Sequence, residues 1–172
     1  MGRHSTDGLD SFDTDWRADH RGAAVRGEHP LLLATMRSGW AVMGATQFLP
    51  GYAVLMSHVD DAVHLTDLPR GQRAEFLMDL GLLGEAVMTV CNGLDPSLRR
   101  LNYEILGPDH YLHAHVFPRY GWEDEELLSG AVWLYPADRW TSPRDAYADE
   151  HEPMREAISK ELHRVMTEAY GI

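Results

Sequence analysis

"YLHAHVF", residues 111–117, decides the fold. Read as a strand, its side chains alternate between two faces. Leu112, Ala114 and Val116 make an ordinary apolar core face, and Tyr111, His113, His115 and Phe117 make the other. Two imidazoles therefore stand ~6–7 Å apart along one face of a strand, between two aromatic rings. Pro118 follows and has no N–H to give a neighbouring strand, so the ladder is expected to end there.

The flanking sequence supplies partners for such a strand. "RRLNYEIL", residues 99–106, alternates in the same way, with Leu101, Tyr103 and Ile105 on one face and Asn102 and Glu104 on the other. Residues 39–58, "GWAVMGATQFLPGYAVLMSH", read as a hairpin with strands near 40–46 and 52–57, turned through Pro50-Gly51. A long helix follows. Asp67 is its expected N-cap, Pro69 falls in its first turn, and Phe76, Leu80, Leu83, Val87 and Val90 form its apolar stripe up to a stop at Asn92-Gly93. A second helix is expected over 151–169, with Met154, Ile158, Leu162, Val165 and Ala169 on one stripe. "DWRADHRGAAVRGEHPLLLATMR", residues 15–37, reads as one or two short helices with Pro30 suited to a helix start. Residues 121–150 are a long connection rich in Trp, Pro and charge. Strands, a long helix and then more strands predict an α+β fold with a mainly antiparallel sheet. Residues 1–14 are expected to form a loose polar segment ahead of one domain over 15–172.

Composition narrows the function classes. The 172 residues are 44% hydrophobic and 24% charged, enough for one packed domain, and the net charge is −12. That balance speaks against duplex nucleic acid or an anionic membrane as partner, because phosphate surfaces are bound by clustered Lys and Arg. A small phosphorylated ligand held by a few local donors remains open. No apolar run approaches the ~20 residues of a membrane span. The single cysteine, Cys91, allows no internal disulfide, and a cytoplasmic setting is the simplest expectation. Its place on the apolar side of the long helix marks it as a core thiol. Neither a glycine-rich dinucleotide fingerprint nor a P-loop is present. His4, His20 and His29 have no ligand spacing and read as surface residues.

Several explanations fit His113 and His115. Both are satisfied sheet histidines in the plainest one. In a second they form two ligands of a metal site, completed by His58, His110 or Glu104. In a third one histidine attacks phosphorus and its neighbour hydrogen-bonds the phosphate or the leaving oxygen. Arg119 and backbone N–H groups are then the candidates for offsetting the chain's own negative charge.

The residues "YLHAHVFPRY" resemble the histidine triad (HIT) signature, in which three histidines alternate with apolar residues, and the Pro-Arg that follows is as in the fragile-histidine-triad branch. "QFLPGYAVLM" is similar to the family's hairpin along the nucleotide pocket, "LTDLPRGQRAEF" to its helix entry, and "LNYEILG" to a strand that carries an amide near the phosphates. The resemblance spans residues 40–120 and points towards the diadenosine tetraphosphate hydrolases. It implies an antiparallel sheet of about five strands, a nucleotide as small-molecule partner, and a homodimer. The middle histidine of the family attacks the α-phosphorus and forms a nucleotidyl-histidine, which water or phosphate resolves. No metal belongs to the protein itself, and Mg²⁺ enters with a polyphosphate substrate. Carried over, His113 is the nucleophile and His115 the third histidine. A nucleotide-binding protein of the same fold with little turnover is the alternative.

The sequence also departs from the pattern. Tyr111 stands where the first histidine supports the nucleophile, and Tyr52 stands where a hairpin histidine helps to orient it. Gly44-Ala45 replace the residue that holds the ribose hydroxyls. The phosphate loop before the triad is cut to "GPDH", residues 107–110, which leaves His110 as a group able to reach the leaving group. Asn102 and Arg119 are candidate phosphate contacts, each with a plain alternative as a surface residue. Phe48 and Trp40 are candidates to stack on a base, or half-buried hairpin aromatics. Trp122, Trp133 and Trp140 cover either the cleft or a partner.

Overall fold

A computed structural model describes residues 16–106 and 111–171. His4, the 1–14 segment and the "GPDH" link with His110 lie outside the described residues. Five antiparallel strands form one sheet: β1 Leu32–Thr35, β2 Gly39–Met43, β3 Ala53–Ser57, β4 Leu98–Glu104 and β5 His113–Tyr120, in the order β1-β2-β3-β5-β4. Helix α1 is His20–Val25, α2 Arg70–Leu94, α3 Glu125–Ser129, α4 Ala137–Thr141 and α5 Glu152–Tyr170. Among the described residues, no helix is long and apolar enough to cross a membrane. The expected α+β class, the antiparallel sheet and the interior position of β5 are all present.

The alternation in residues 111–117 is realised. Leu112, Ala114 and Val116 are fully buried at 0% exposure and share one core with Phe76, Leu80, Leu83 and Val87 of α2 and Ile158, Leu162 and Val165 of α5. The two long helices thus cover one face of the sheet, and burial of their apolar stripes is the main force holding them there. Tyr103 runs over α2 at Gly84, where a Cβ would come within 2.0 Å of the phenol oxygen. The hairpin turn is as the sequence predicts. Tyr52 N–H donates to Leu49 O at 3.0 Å across Pro50-Gly51, and Gly51 takes φ +91°, the second central position of a type II turn.

Several expectations fail, each for a local reason. "LLLATM" forms edge strand β1, because β2 pairs with it from Leu32↔Val42 to Thr35↔Trp40 and a short apolar run fits strand or helix equally well. Asp67 does not cap α2. Its carboxylate accepts from the N–H groups of Val63 at 3.0 Å and His64 at 2.8 Å, closing a 3-10 turn over Leu65–Asp67, and Pro69 takes the N-cap of α2. The helix passes through Asn92-Gly93 and ends at Asp95, just before Pro96. In α5 Met166 is buried where Ala169 was expected. Pro118 does not end β5. The β3 ladder stops at Ala53↔Val116, but β4 stays paired on the other side as far as Leu98↔Tyr120, with Pro118 opposite Leu101.

Candidate functional site

Directly paired residues in an antiparallel sheet share a face. The pairs Met56↔His113, Val54↔His115, Val42↔Val54 and Glu104↔His115 therefore place Val42, Val54, Met56, Glu104 and both histidines on the face opposite α2 and α5. Helix α1 lies on that face through Ala24, which packs with Val42 and Met56. At the other end the 121–150 connection is stitched to the hairpin loop. Tyr147 N–H donates to Ala45 O at 2.9 Å, Gln47 N–H to Asp145 O at 2.6 Å, and Thr46 bridges to Ala146. Between the two remains a cleft of about 330 Å³. Its floor is Val42, Val54 and Met56, one end carries Tyr111, His113, His20 and Arg17, and Trp140, Thr141 and Ser142 wall the other.

His113 is 5% exposed and lines this cleft. Its Nδ1 lies 3.0 Å from the main-chain oxygen of Tyr111. A carbonyl oxygen only accepts, so Nδ1 carries the proton and the neutral ring holds its lone pair at Nε2. The support expected from the Tyr111 side chain comes instead from its backbone, while the phenol ring packs 5.2 Å from the imidazole.

His115 sits one step deeper. Its ring centroid is 4.8 Å from that of His113, it stacks at 5.4 Å on Phe117, and Trp133 covers it at 6.0 Å. It does not line the cleft. Burial, and secondarily the neighbouring His113, push its pKa down to about 3. Its Nδ1 shares a 2.8 Å hydrogen bond with the Tyr52 hydroxyl. The resemblance has Tyr52 orient His113, whereas in the structure its hydroxyl is bonded to His115, the third motif position. Among the described residues, His115 Nε2 and Glu104 Oε2, on cross-strand partners, are buried without a hydrogen-bond partner.

Arg119 is neither a phosphate contact nor a surface charge. It is 0% exposed and pairs with Glu123 at 2.9 Å, and its other nitrogens donate to Gly130 O at 2.8 Å and Leu127 O at 2.6 Å. Asn102 shares the histidine face, but its amide faces Gly130 O and Glu104 at 3.4 Å and does not reach the cleft. Phe48 is core, packed 5.0 Å from Tyr135 and 4.9 Å from Trp140. Trp40 is half-buried beneath the guanidinium of Arg21 and outside the cleft. Trp140 lines the cleft and Trp133 lies over His115, whereas Trp122 stacks on Tyr120 away from it. Among the described residues, no three His, Cys, Asp or Glu side chains gather as a metal site, so His58 and Glu104 do not complete one with the pair. The sequence reading missed Arg17, His20, Thr141 and Ser142. The only local signal was a basic cluster, Arg17, His20 and Arg21, in an acidic chain.

In sequence, no family model and no curated protein matches the chain. Solved structures do match in fold. A histidine triad protein from Marinobacter aquaeolei VT8 is 20% identical, with a TM-score of 0.62 over 78% of this chain and 89% of that one. A histidine triad (HIT) protein from Sinorhizobium meliloti 1021 is 16% identical, with a TM-score of 0.64 over 90% and 99%. The diadenosine triphosphate hydrolase of Plasmodium falciparum is 12% identical, with a TM-score of 0.52 over 79% and 78%. With its five antiparallel strands in this order and its paired histidines on the open face of the sheet, the chain has the fold of the histidine triad proteins.

Proposed function

We propose that the chain is a nucleotide hydrolase or nucleotidyl transferase that cleaves at the α-phosphate of a dinucleoside polyphosphate or a related nucleotide. The observation that carries this is the geometry of His113, whose proton is fixed at Nδ1 by the Tyr111 carbonyl while the ring lines a cleft. A nucleophilic imidazole needs that arrangement. The cleft, at about 330 Å³, is of ligand-binding size, and its apolar floor beside the polar Tyr111–His113 end suits a nucleoside phosphate. The fold is shared with a hydrolase of diadenosine triphosphate.

In the first step His113 Nε2 bonds to phosphorus, the bridging P–O bond breaks, and the leaving phosphate departs with the electron pair. Water or another acceptor then attacks the nucleotidyl-histidine and frees the imidazole. The resemblance gives His115 the part of a donor to a phosphate oxygen; it is neutral at physiological pH and held at Nδ1 by Tyr52, but it lies behind the cleft beneath Trp133, so its Nε2 reaches a phosphate only if the Trp133 ring moves aside. Mg²⁺ would enter with the polyphosphate, held by its phosphate oxygens and not by the two histidines.

The test is turnover of diadenosine tetraphosphate, adenosine phosphoramidate and ADP, with acid-quench mass spectrometry of the protein. Wild type is expected to show an AMP adduct on His113. His113→Ala loses at least ~10³-fold in turnover while binding survives, and His115→Ala loses less. Binding without turnover or adduct in wild type identifies a nucleotide-binding protein of this fold instead. Full turnover in His113→Ala removes the mechanism.

A further inference from the structure

We infer that Glu104 is a positioning residue for His115: through one buried water its carboxylate fixes the ring proton on Nε2, beneath the Trp133 ring. The bearing of this on turnover rests on the nucleotide chemistry proposed above. The residue itself lies outside the histidine motif, on the neighbouring strand.

The sheet register brings the two groups together. Glu104 of β4 lies directly opposite His115 of β5. Directly opposed residues share a face, with Cβ atoms about 4.5–5.5 Å apart. One carboxylate oxygen of Glu104, Oε1, accepts from Val132 N–H at 2.8 Å and from the Asn102 amide at 3.4 Å. The other, Oε2, is buried and has no hydrogen-bond partner among the described residues. The same holds for Nε2 of His115, a side chain only 6% exposed. Two orphaned polar atoms on one cross-strand pair are unusual in a protein interior, and together they supply the partners that hold a buried water.

The chemistry of the pair sets the direction of the proton. A carboxylate oxygen only accepts, so the water donates to Oε2. Burial keeps the His115 imidazole neutral, with its pKa lowered to about 3, so the ring carries one proton. With that proton on Nε2 the donors run head to tail. Tyr52 O–H donates to Nδ1 over 2.8 Å, Nε2–H donates to the water, and the water donates to Glu104. With the proton on Nδ1, the water would donate both of its hydrogens and leave its own oxygen unpartnered in a buried site. The head-to-tail chain leaves none of these atoms orphaned.

Trp133 closes the site from above. Its ring centroid is 6.0 Å from that of His115, and it follows Val132, whose N–H the same carboxylate holds. Glu104 thus sets both the tautomer of the third motif histidine and the anchorage of the turn that covers it. When the Trp133 ring moves aside, the nitrogen it uncovers is a donor, as a phosphate oxygen requires.

Nitrogen-15 NMR of the full chain, labelled at histidine, tests the tautomer in wild type and Glu104→Gln, with His115→Gln to assign the signals. Wild type is expected to show a protonated Nε2 and an unprotonated Nδ1 at His115 at neutral pH. In Glu104→Gln the amide oxygen stays on Val132 N–H, which turns the amide NH₂ towards His115. A donor then faces Nε2, and the proton is expected to move to Nδ1. Turnover in this variant should fall about tenfold or more, with nucleotide affinity within about threefold of wild type. An unprotonated Nε2 in wild type overturns the assignment, whatever the stability of the variant. A His115 spectrum unchanged in Glu104→Gln overturns it too, and a switched tautomer with wild-type turnover overturns the positioning role. Wild type that neither binds nor cleaves nucleotide overturns the function proposed above, while the spectra still decide the tautomer.

Discussion

Two of the buried imidazoles, His115 and His29, make folding acid-sensitive by an amount that the structure sets. An imidazole in the unfolded chain takes its proton near 6.5, whereas burial lowers this to about 3 at His115 and about 4 at His29. Their folded values are depressed, so the unfolded chain binds more protons below pH 6.5, and stability falls as the pH drops through that value. By linkage each contributes about 2 kcal/mol of loss between pH 7 and 5, roughly 4 kcal/mol together. The slope near pH 5 approaches ~2.5 kcal/mol per pH unit, close to two protons. Against a typical stability of roughly 5–15 kcal/mol this is a large share. The shifted carboxylates do not confuse the window. Asp19, Asp67, Asp95, Glu152 and Glu161 are lowered by hydrogen bonds from their ordinary values of 3.8 or 4.5, so their contribution is lost only at more acidic pH. Urea unfolding followed by far-UV circular dichroism at pH 7, 6 and 5 measures the effect. His115→Gln and His29→Gln should each remove about half of the slope. A loss below about 1 kcal/mol over the range, or a slope untouched by both substitutions, refutes the reasoning.

Glu123→Ala should destabilise by about 3–5 kcal/mol, because it strands the fully buried Arg119 guanidinium and the Tyr135 hydroxyl, and thermal melting of Arg119→Met/Glu123→Leu should recover part of that loss. Tyr52→Phe leaves His115 Nδ1 buried without its 2.8 Å partner, and should cost about 1–3 kcal/mol in urea unfolding and lower turnover. Tyr111→Phe, by contrast, should keep turnover within a few-fold in the same assay, since the main-chain carbonyl makes the contact with His113. Gly51→Ala should cost at least ~2 kcal/mol by the same measure, from a φ of +91° and a Cβ placed 2.3 Å from Cys91 Sγ, and Cys91→Ala in the same chain should relieve only the contact.

The strand period in residues 111–117 was enough to place both histidines on one face, because β5 is flanked on both sides and its alternation is set by the sheet. The hairpin was legible from Pro50-Gly51 for a similar reason, since turn chemistry is local. What stayed hidden depends on partners distant in the chain. The burial of Arg119 is decided by the Glu123 carboxylate before α3 and by two carbonyls in α3 and at its end, and nothing in an Arg next to a Pro announces them. His29 reads as a surface residue because its spacing fits no ligand set, yet it is buried against Trp16 and His20, contacts that its local sequence does not announce. The cleft wall at Trp140 and Ser142 exists because Thr46 meets Ala146, a pairing with no trace in either local pattern.

The stitching of the 121–150 connection onto the hairpin loop divides the labour of the protein between two kinds of sequence. The sheet carries His113, the proposed nucleophile, and its residues are constrained from both faces by packing. The connection contributes Trp140, Thr141 and Ser142 without supplying a strand to the sheet or a residue to the His113 bond. Substitutions there can reshape what enters the cleft and leave the His113 ring undisturbed. Selectivity in this chain is thereby free to drift separately from reactivity, and descendants that differ in ligand should differ first between residues 131 and 147.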